Sequence, residues 1–355
     1  IMFNSTFWKN KRVFVTGHSG FKGTWLCHWL HILGAKVWGY SMGVNEEQYL
    51  FAKSVLPDLQ HSFYGDIRNE EHLGKCLTEV EPEIIFHLAA QPIVRKSYLE
   101  PLETFSTNVM GTLKLLSCSR QLLHCKAIVV VTSDKCYENH DSLSAFRETD
   151  RLGGDDPYSF SKSMSELLTS YFQKKLKSKK IFIASARCGN VIGGGDWSDD
   201  RIIPDIVKSI TKNKLIYIRN YNSVRPWIHV LDSIRGYLML AKMVYLNPKY
   251  CGAYNFSPQS IKRNYEVKDI INLFSEEWSK VQHKRIKTSF FEHNYLKLNS
   301  NKAKKIIGWT PIYSTNNAIK KTIEWYKENN DGGTIILRFF AQLWISFTVK
   351  SIAIA

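Results

Sequence analysis

The run Arg12-Val-Phe-Val-Thr16, followed at once by Gly17-His-Ser-Gly-Phe-Lys-Gly23, decides the fold. Residues 12–16 are rich in β-branched and apolar side chains, as a buried strand requires. From Phe21 to Leu33 the apolar residues recur at helical spacing, and Gly34 stops the helix. The glycines between them follow GxxGxxG, one residue wider at the start than GxGxxG. Gly17 permits the tight turn, Gly20 lets backbone approach a phosphate, and Gly23 lets helix pack closely on strand. The helix N-terminus then offers N–H groups and the positive end of its dipole. Strand, glycine turn and helix together make a cradle for the pyrophosphate of a dinucleotide. His18, Phe21 and Lys22 belong to the same loop.

Working outward, Lys36–Tyr40 reads as a second strand, and residues 83–88 and 127–132 as further short apolar strands with helical stretches between. Strands alternating with helices imply an α/β domain, a parallel sheet covered on both faces. The expected architecture is a Rossmann-type doubly wound sheet over residues 1–186, then a smaller mixed α/β substrate-binding domain over 187–330. Within the latter, Arg201–Ile210 reads as a helix and Ile216–Arg219 as a strand. The second strand ends Gly39-Tyr40-Ser41, without the carboxylate that normally grips the adenosine ribose. NAD is the expected cofactor, but the fingerprint leaves NADP open. Asp66 and Ile67, after Gly65, are placed beside the adenine, with Asp66 either accepting from its amino group or serving a turn.

The chain of 355 residues carries 48 Lys+Arg against 32 Asp+Glu, a formal charge of +16 that suits an anionic partner. Much of the excess lies in stretches such as Lys174–Lys180, read as a solvated helix face, and no zinc-finger spacing or basic heptads point to nucleic acid. Seven cysteines form no CxxC pair, which argues against a disulfide framework or a metal site and fits a reducing cytoplasm. Lys9, Lys11 and Arg12 interrupt any secretory apolar stretch before the first strand. The segment 331–355 is atypical: residues 339–349 are uncharged and mostly apolar but bounded by Arg338 and Lys350. That is short for a membrane span, so a helix on the protein body or on another subunit is expected, with an interfacial anchor as the other reading.

Tyr158 and Lys162 stand at i and i+4 in Pro157-Tyr-Ser-Phe-Ser-Lys162, on one face of what reads as a helix start. A free tyrosine, with a pKa of about 10, is a poor base at neutral pH, and a nearby ammonium lowers that value. Such a pair occurs often by chance. Its company is what gives it meaning: a glycine loop, a strand ending Val131-Thr132-Ser133, then YxxxK. This order resembles the extended short-chain dehydrogenase/reductase superfamily. The resemblance makes Tyr158 the base that oxidises an alcohol, Lys162 its partner and ribose ligand, and Ser133 the residue that binds the reacting hydroxyl. Phe86-His-Leu88-Ala89-Ala90, Asn108-Val-Met-Gly111 and Thr132 are similar to its cofactor-side motifs, with His87 read as structural.

A closer resemblance, to the CDP-glucose 4,6-dehydratase family, extends from residue 7 to about 326. It is carried by Phe7-Trp-Lys, the glycine loop, Ala90-Gln-Pro92, Ser133-Asp134-Lys135, Gly189–Trp197, Arg225-Pro-Trp-Ile-His229 and Tyr295-Leu-Lys-Leu298. The chemistry it implies is physically sensible. The C5 proton of glucose is not acidic, but a ketone at C4 makes C5 an α-carbon. Water then leaves across C5–C6, and hydride from C4 returns to C6 through bound NAD. CDP-glucose, or another nucleotide-diphospho-sugar, would thus give a 4-keto-6-deoxy sugar, a supply step for the deoxysugars of surface polysaccharide such as lipopolysaccharide O-antigen. Asp134 suits the acid, provided burial keeps it protonated, and Lys135 is either the C5 base or an electrostatic helper. Arg225 is the candidate for the diphosphate, helped by Asn190 and Arg201. Arg219 either lies near the nucleotide or is a surface residue, and Gln91 and Arg95 follow a strand end on the ligand-binding edge. Trp197 and Trp227 either shape the pocket or pack in the core. A homo-oligomer, dimer or tetramer, is expected. Two rivals stay open: a 4-epimerase, which has no use for Asp134 and Lys135, and a non-catalytic dinucleotide sensor, which needs only the glycine loop.

Overall fold

The computed structural model describes residues 5–330, apart from 45, 55, 142, 259–263 and 288–289. The apolar segment expected at 331–355 lies outside the described residues. Seven parallel strands form one sheet: β1 (Arg12–Thr16), β2 (Lys36–Ser41), β3 (His61–Tyr64), β4 (Ile84–His87), β5 (Ala127–Val131), β6 (Phe182–Cys188) and β10 (Gly252–Phe256). From one edge their order is β3-β2-β1-β4-β5-β6-β10. Chain order reverses between β1 and β4, and it is outside such a switch point that ligands bind in open α/β sheets.

Alternation along each strand feeds two cores. Val13, Val15, Phe86, Val129 and Ala186 face the helices Phe21–Ile32 and Val230–Leu246. Phe14, Ile85, Ile128 and Ile183 face the helices Glu70–Val80, Gly111–Cys118 and Pro157–Leu176. Both faces are covered, which is why the central strands read as unbroken apolar runs rather than alternating ones. The first helix spans Phe21–Ile32, and Gly34 follows with φ +79°, the left-handed conformation that glycine adopts without cost after a helix.

The edge strand β10 comes from well past residue 186, so part of the 187–330 stretch returns to the main sheet. The remainder builds two small parallel pairs beside the sheet's C-terminal edge. One joins β7 (Val191–Ile192) to β9 (Ile228–His229), the other β8 (Ile216–Ile218) to β11 (His283–Arg285). Helices Ile202–Thr211, Val267–Glu277 and Thr315–Asn330 pack around them. Trp197 lies edge-on to Tyr326 at 5.2 Å and packs in the core, whereas Trp227, 2% exposed, donates its indole N–H to Tyr265 O and also lines the cleft at that edge.

Candidate active site

Register aligns Thr16 with His87, His87 with Val130, and Val131 with Ala186, so the loops after β1, β4, β5 and β6 open on one edge. A cleft of about 300 Å³ lies there, lined by Phe21, Lys22, Leu88, Ser133, Asp134 and Tyr158 among others.

At its floor the glycine loop is as tight as the spacing requires. Gly17 has φ +72°, and a Cβ on it would come within 2.7 Å of Ala89 N; one on Gly23 would meet Gly17 O at 2.1 Å. The first helix begins at Phe21 with no side-chain cap and no acidic residue in its first turn. Its leading N–H groups and dipole are thus available to an anion, and the cradle fits a dinucleotide pyrophosphate. Thr16 Oγ1 accepts from Leu88 N and Ala89 N at 3.2 Å each, tying the ends of β1 and β4 together. His87 bridges Thr16 and Thr112, and burial pushes its pKa down to about 3, so it is a neutral structural residue.

Three of the residues expected near a ligand make contacts within the protein. The His18 side chain turns away from the cleft: its ring covers Gly39, where a Cβ would lie 2.4 Å from Cγ, and Nε2 meets Ser62 Oγ at 2.7 Å. Burial lowers its pKa to about 4. Glycine is thus required at position 39, where the imidazole packs against β2. Gln91 does not line the cleft. Its amide closes on Ile93 N, Ile93 O and Thr104 Oγ1, which shapes the loop rather than holding a ligand. Asn108 likewise brackets Gln91 N and O and receives no cleft exposure, bonding Ser161 Oγ at 2.9 Å.

Around the adenine position, Asp66 is chelated by the Arg68 guanidinium at 2.6–3.0 Å, which holds its carboxyl below the ordinary range. An adenine amino group would therefore share that carboxylate. Ile67 is buried, its Cγ2 lying where a Cβ of Gly111 would be, at 2.7 Å. Leu88 and Ala90 line the cleft, and Ala89 packs beneath them.

The strand-end residues and the YxxxK helix meet as their spacing implied. Asp156 caps the helix Pro157–Leu176 by accepting from Ser159 N at 2.9 Å, and Pro157 occupies its first position. Tyr158 and Lys162 are 8% and 6% exposed, with Nζ 5.9 Å from the phenol ring centre. Ser133 hydrogen-bonds Tyr158 and donates to Asp134 Oδ1 at 3.0 Å. Asp134 Oδ2 is buried without a partner, and burial raises the carboxyl's pKa. Thr132 bonds Glu166, which lies four residues past Lys162 and is paired at 2.8 Å with buried Arg187. Glu166 continues the helical face begun by Tyr158 and Lys162, and that spacing could have revealed it.

Charge in this cluster runs against the simplest expectation. Burial pushes the Tyr158 phenol up to about 12, although the Ser133 hydrogen bond works in the other direction. Burial, then the nearby Lys22, brings Lys162 down to about 7. A lysine so close to neutrality lends the phenolate little charge. Lys162 has no ion-pair partner among the described residues, so its cation is a cost to the fold. Compared with an ordinary lysine at 10.5, that cost grows as pH falls and is complete below about 7. A Lys162→Met variant is therefore expected to gain about 1–3 kcal/mol of stability in neutral or acid buffer. The gain should fade toward pH 10.5 while activity is lost throughout. A melting temperature for the variant at or below that of the parent near neutral pH would refute this.

The predicted arginines divide into two groups. At the mouth, Arg95 and Arg219 share Asp200 at 3.0 and 3.3 Å, and Arg201 pairs with Asp196 at 2.9 Å. Deeper, Arg225 is 5% exposed and donates to Val224 O. Asn190 lines the cleft and its carbonyl accepts from Ile228 N. Glu292, which the sequence reading did not single out, joins Lys135 to Arg225. Among the described residues no group of His, Cys, Asp or Glu is placed to hold a metal.

Residues 14–322 match the family described as GDP-mannose 4,6 dehydratase. The chain is 42% identical over 336 residues to CDP-glucose 4,6-dehydratase of Salmonella typhimurium, covering 92% of this chain and 93% of that one. Its fold is shared with dTDP-glucose 4,6-dehydratase from Bacillus anthracis, solved with NAD (TM-score 0.76, 21% identity, 90% and 98% covered). It is shared equally with UDP-glucuronic acid 4-epimerase from Bacillus cereus, solved with UDP-glucuronic acid and NAD (0.78, 21%, 89% and 99%). Fold alone therefore does not separate dehydration from epimerisation.

Proposed function

Because the chain belongs to the GDP-mannose 4,6 dehydratase family, we propose that it is a nucleotide-sugar 4,6-dehydratase converting CDP-glucose to CDP-4-dehydro-6-deoxyglucose and water. The observation that carries this reading is the placement of Asp134 and Lys135 directly beside the Ser133–Tyr158 pair. Oxidation at C4 needs only Ser133, Tyr158 and Lys162. A buried acid with an unpartnered oxygen is superfluous to an epimerase, but an elimination must protonate a departing hydroxyl.

NAD is the cofactor, and the Gly17–Gly23 loop, Lys22 in the first helical turn and Lys162 are the residues that would hold it, Lys162 at the nicotinamide ribose. When bound it would supply a reversible hydride acceptor between C4 and C6. Tyr158 takes the C4 hydroxyl proton, with Ser133 orienting that hydroxyl. Once C4 is a ketone, the C5 proton leaves, with Lys135 taking it or steadying the enolate, while Asp134 gives its proton to the departing C6 hydroxyl; when hydride reaches C6 a proton returns to C5, which completes the 4-keto-6-deoxy sugar. Arg225 faces the diphosphate, and Arg95, Arg201, Arg219 and Asn190 line the route by which the nucleotide enters. Purified protein incubated with CDP-, dTDP-, UDP- and GDP-glucose should release one water from the CDP sugar fastest, read by mass. A product of unchanged mass with inverted C4 would make it an epimerase.

A second copy of the chain is proposed to cover the helix Pro157–Leu176. Phe160, Leu167 and Tyr171 repeat along one of its faces and are 48–59% exposed, and neighbouring Leu102 is 86% exposed. Phe160 already stacks edge-on with Phe105, so two helices share the apolar surface. Phe160→Glu with Leu167→Glu should convert a dimer or tetramer to a monomer by light scattering; an unchanged mass would refute the assignment. All seven cysteines are free thiols, which supports a reducing, cytoplasmic setting. The product, still on its nucleotide, suits later enzymes that build 6-deoxysugars for surface polysaccharide such as O-antigen. Loss of those sugars from a strain lacking this enzyme would test both points.

A further inference from the structure

Among the described residues of the cleft, Glu292 is the carboxylate that touches both Lys135, proposed to act at C5, and Arg225, proposed to face the diphosphate. Its Oε1 lies 3.3 Å from Lys135 Nζ and 3.2 Å from Arg225 Nη2. Its other oxygen, Oε2, accepts from Asn220 Nδ2 at 2.8 Å. Both carboxylate oxygens are thus spent within the protein, and the residue sits in the cleft wall with Phe290 and Phe291. The partners come from two segments, the turn after β5 (Lys135) and the loop before β9 (Asn220 and Arg225), while Glu292 itself lies after β11.

The side chain of Lys135 has four rotatable bonds, and an ammonium so tethered ranges widely unless an anion holds it. Here the anion itself is held, by the buried guanidinium of Arg225 and by an amide. Arg225 and Lys135 also draw the carboxyl's pKa down to about 2, so it stays charged at any pH at which the protein works. A direct role for Glu292 in moving protons is thereby disfavoured, since a group that never titrates in that range is a poor acid and a poor base.

We infer that Glu292 is a positioning residue: it fixes the Lys135 ammonium for the elimination step and couples it to Arg225 at the diphosphate end of the substrate. The inference rests on the dehydratase reading. It makes the two ends of the substrate site mechanically dependent, because the same oxygen serves the cation acting at C5 and the cation facing the phosphates. It also separates the half-reactions, since neither Ser133, Tyr158 nor Lys162 contacts Glu292 among the described residues.

The test is rapid-mixing kinetics of the NAD-loaded enzyme with CDP-glucose, following reduced cofactor by absorbance and C5 exchange with deuterated solvent by mass. Glu292→Gln should lower kcat and C5 exchange by about 10–100-fold, the size of losing an orienting partner in other enzyme sites. The absorbance burst from C4 oxidation should persist and decay slowly. Glu292→Asp, which keeps the charge on a shorter arm, should recover part of the loss. The inference is overturned if Glu292→Gln keeps parental kcat and C5 exchange, if burst and exchange fall together, or if the Asp variant is no better than Gln. Should the Gln variant not fold, the Asp variant alone must show slowed exchange with an intact burst. A parent enzyme that removes water from no nucleotide sugar would sink the functional reading, and this inference with it. An active parent with an equally active Gln variant would sink only the inference.

Discussion

Tyr158→Phe is expected to lower turnover of CDP-glucose by about 10²–10⁴-fold, the usual contribution of a positioned acid–base group. The phenol hydroxyl is the only part removed. The ring stays in its buried site, and the helix cap at Asp156 and the bond from Tyr158 N to Ser97 Oγ are unaffected. Folding and NAD affinity should therefore survive, and the loss should fall on the first half-reaction. Reduced cofactor should not accumulate after mixing with substrate, and C5 exchange should vanish too, since exchange needs the C4 ketone. A Phe variant that still exchanged the C5 proton at the parental rate would remove Tyr158 from the role of base. Because burial holds the free phenol near 12, the parent's C4 oxidation, read as the rate at which reduced cofactor appears, should rise with pH through the neutral range, a rise that the Phe variant lacks.

Asp134→Asn is expected to have the second-largest effect, and it should fall on the other half of the reaction. Asparagine matches the shape and can still accept from Ser133, so C4 oxidation should continue. It has no acidic proton to give the departing C6 hydroxyl, and elimination should slow by about 10²–10³-fold. Stopped-flow traces should show a burst of reduced cofactor that persists. A variant that lost the burst along with turnover would show that Asp134 serves oxidation or folding instead. The pH argument runs in a definite direction. Burial raises the Asp134 carboxyl above the ordinary 3.8, so the folded protein favours the protonated form. Ionising it costs stability; the cost is absent below about 3.8 and accumulates as pH rises through the folded-state value. The Asn variant should therefore match the parent's stability in strong acid and exceed it at neutral pH. In the parent, elimination should weaken as pH rises and the acid is lost.

Much of this site was legible because its parts are local. The glycine loop is a continuous run whose spacing alone dictates a tight turn and a close helix approach, and the close backbone contacts at Gly17 and Gly23 bear that out. Tyr158 and Lys162 are one helical turn apart, so their meeting needed only the helix. Ser133, Asp134 and Lys135 follow a strand end directly. Other residues point elsewhere than their position suggested, for a shared reason: a side chain's direction is not written in its spacing. His18 and Gln91 stand in the right loops, yet one faces the edge of β2 and the other folds back on its own turn. The Gln91 amide satisfies buried and half-buried groups of its own loop, and the His18 ring fills the space that Gly39 leaves, so packing and local hydrogen bonds set where these side chains point.

The sequence by itself determined the sheet, the phosphate cradle and the Tyr–Lys pair, because strand and helix periods act over a few residues. Only the tertiary structure decided how the charges are shared. Lys135 and Glu292 are 157 positions apart, and no local pattern links them. The Lys162 ammonium is weakened to about 7 first by burial and then by Lys22, which the first helix brings near it. Burial and opposite charge act through space, so the protonation states on which the oxidation and the elimination depend exist only once distant segments have packed together.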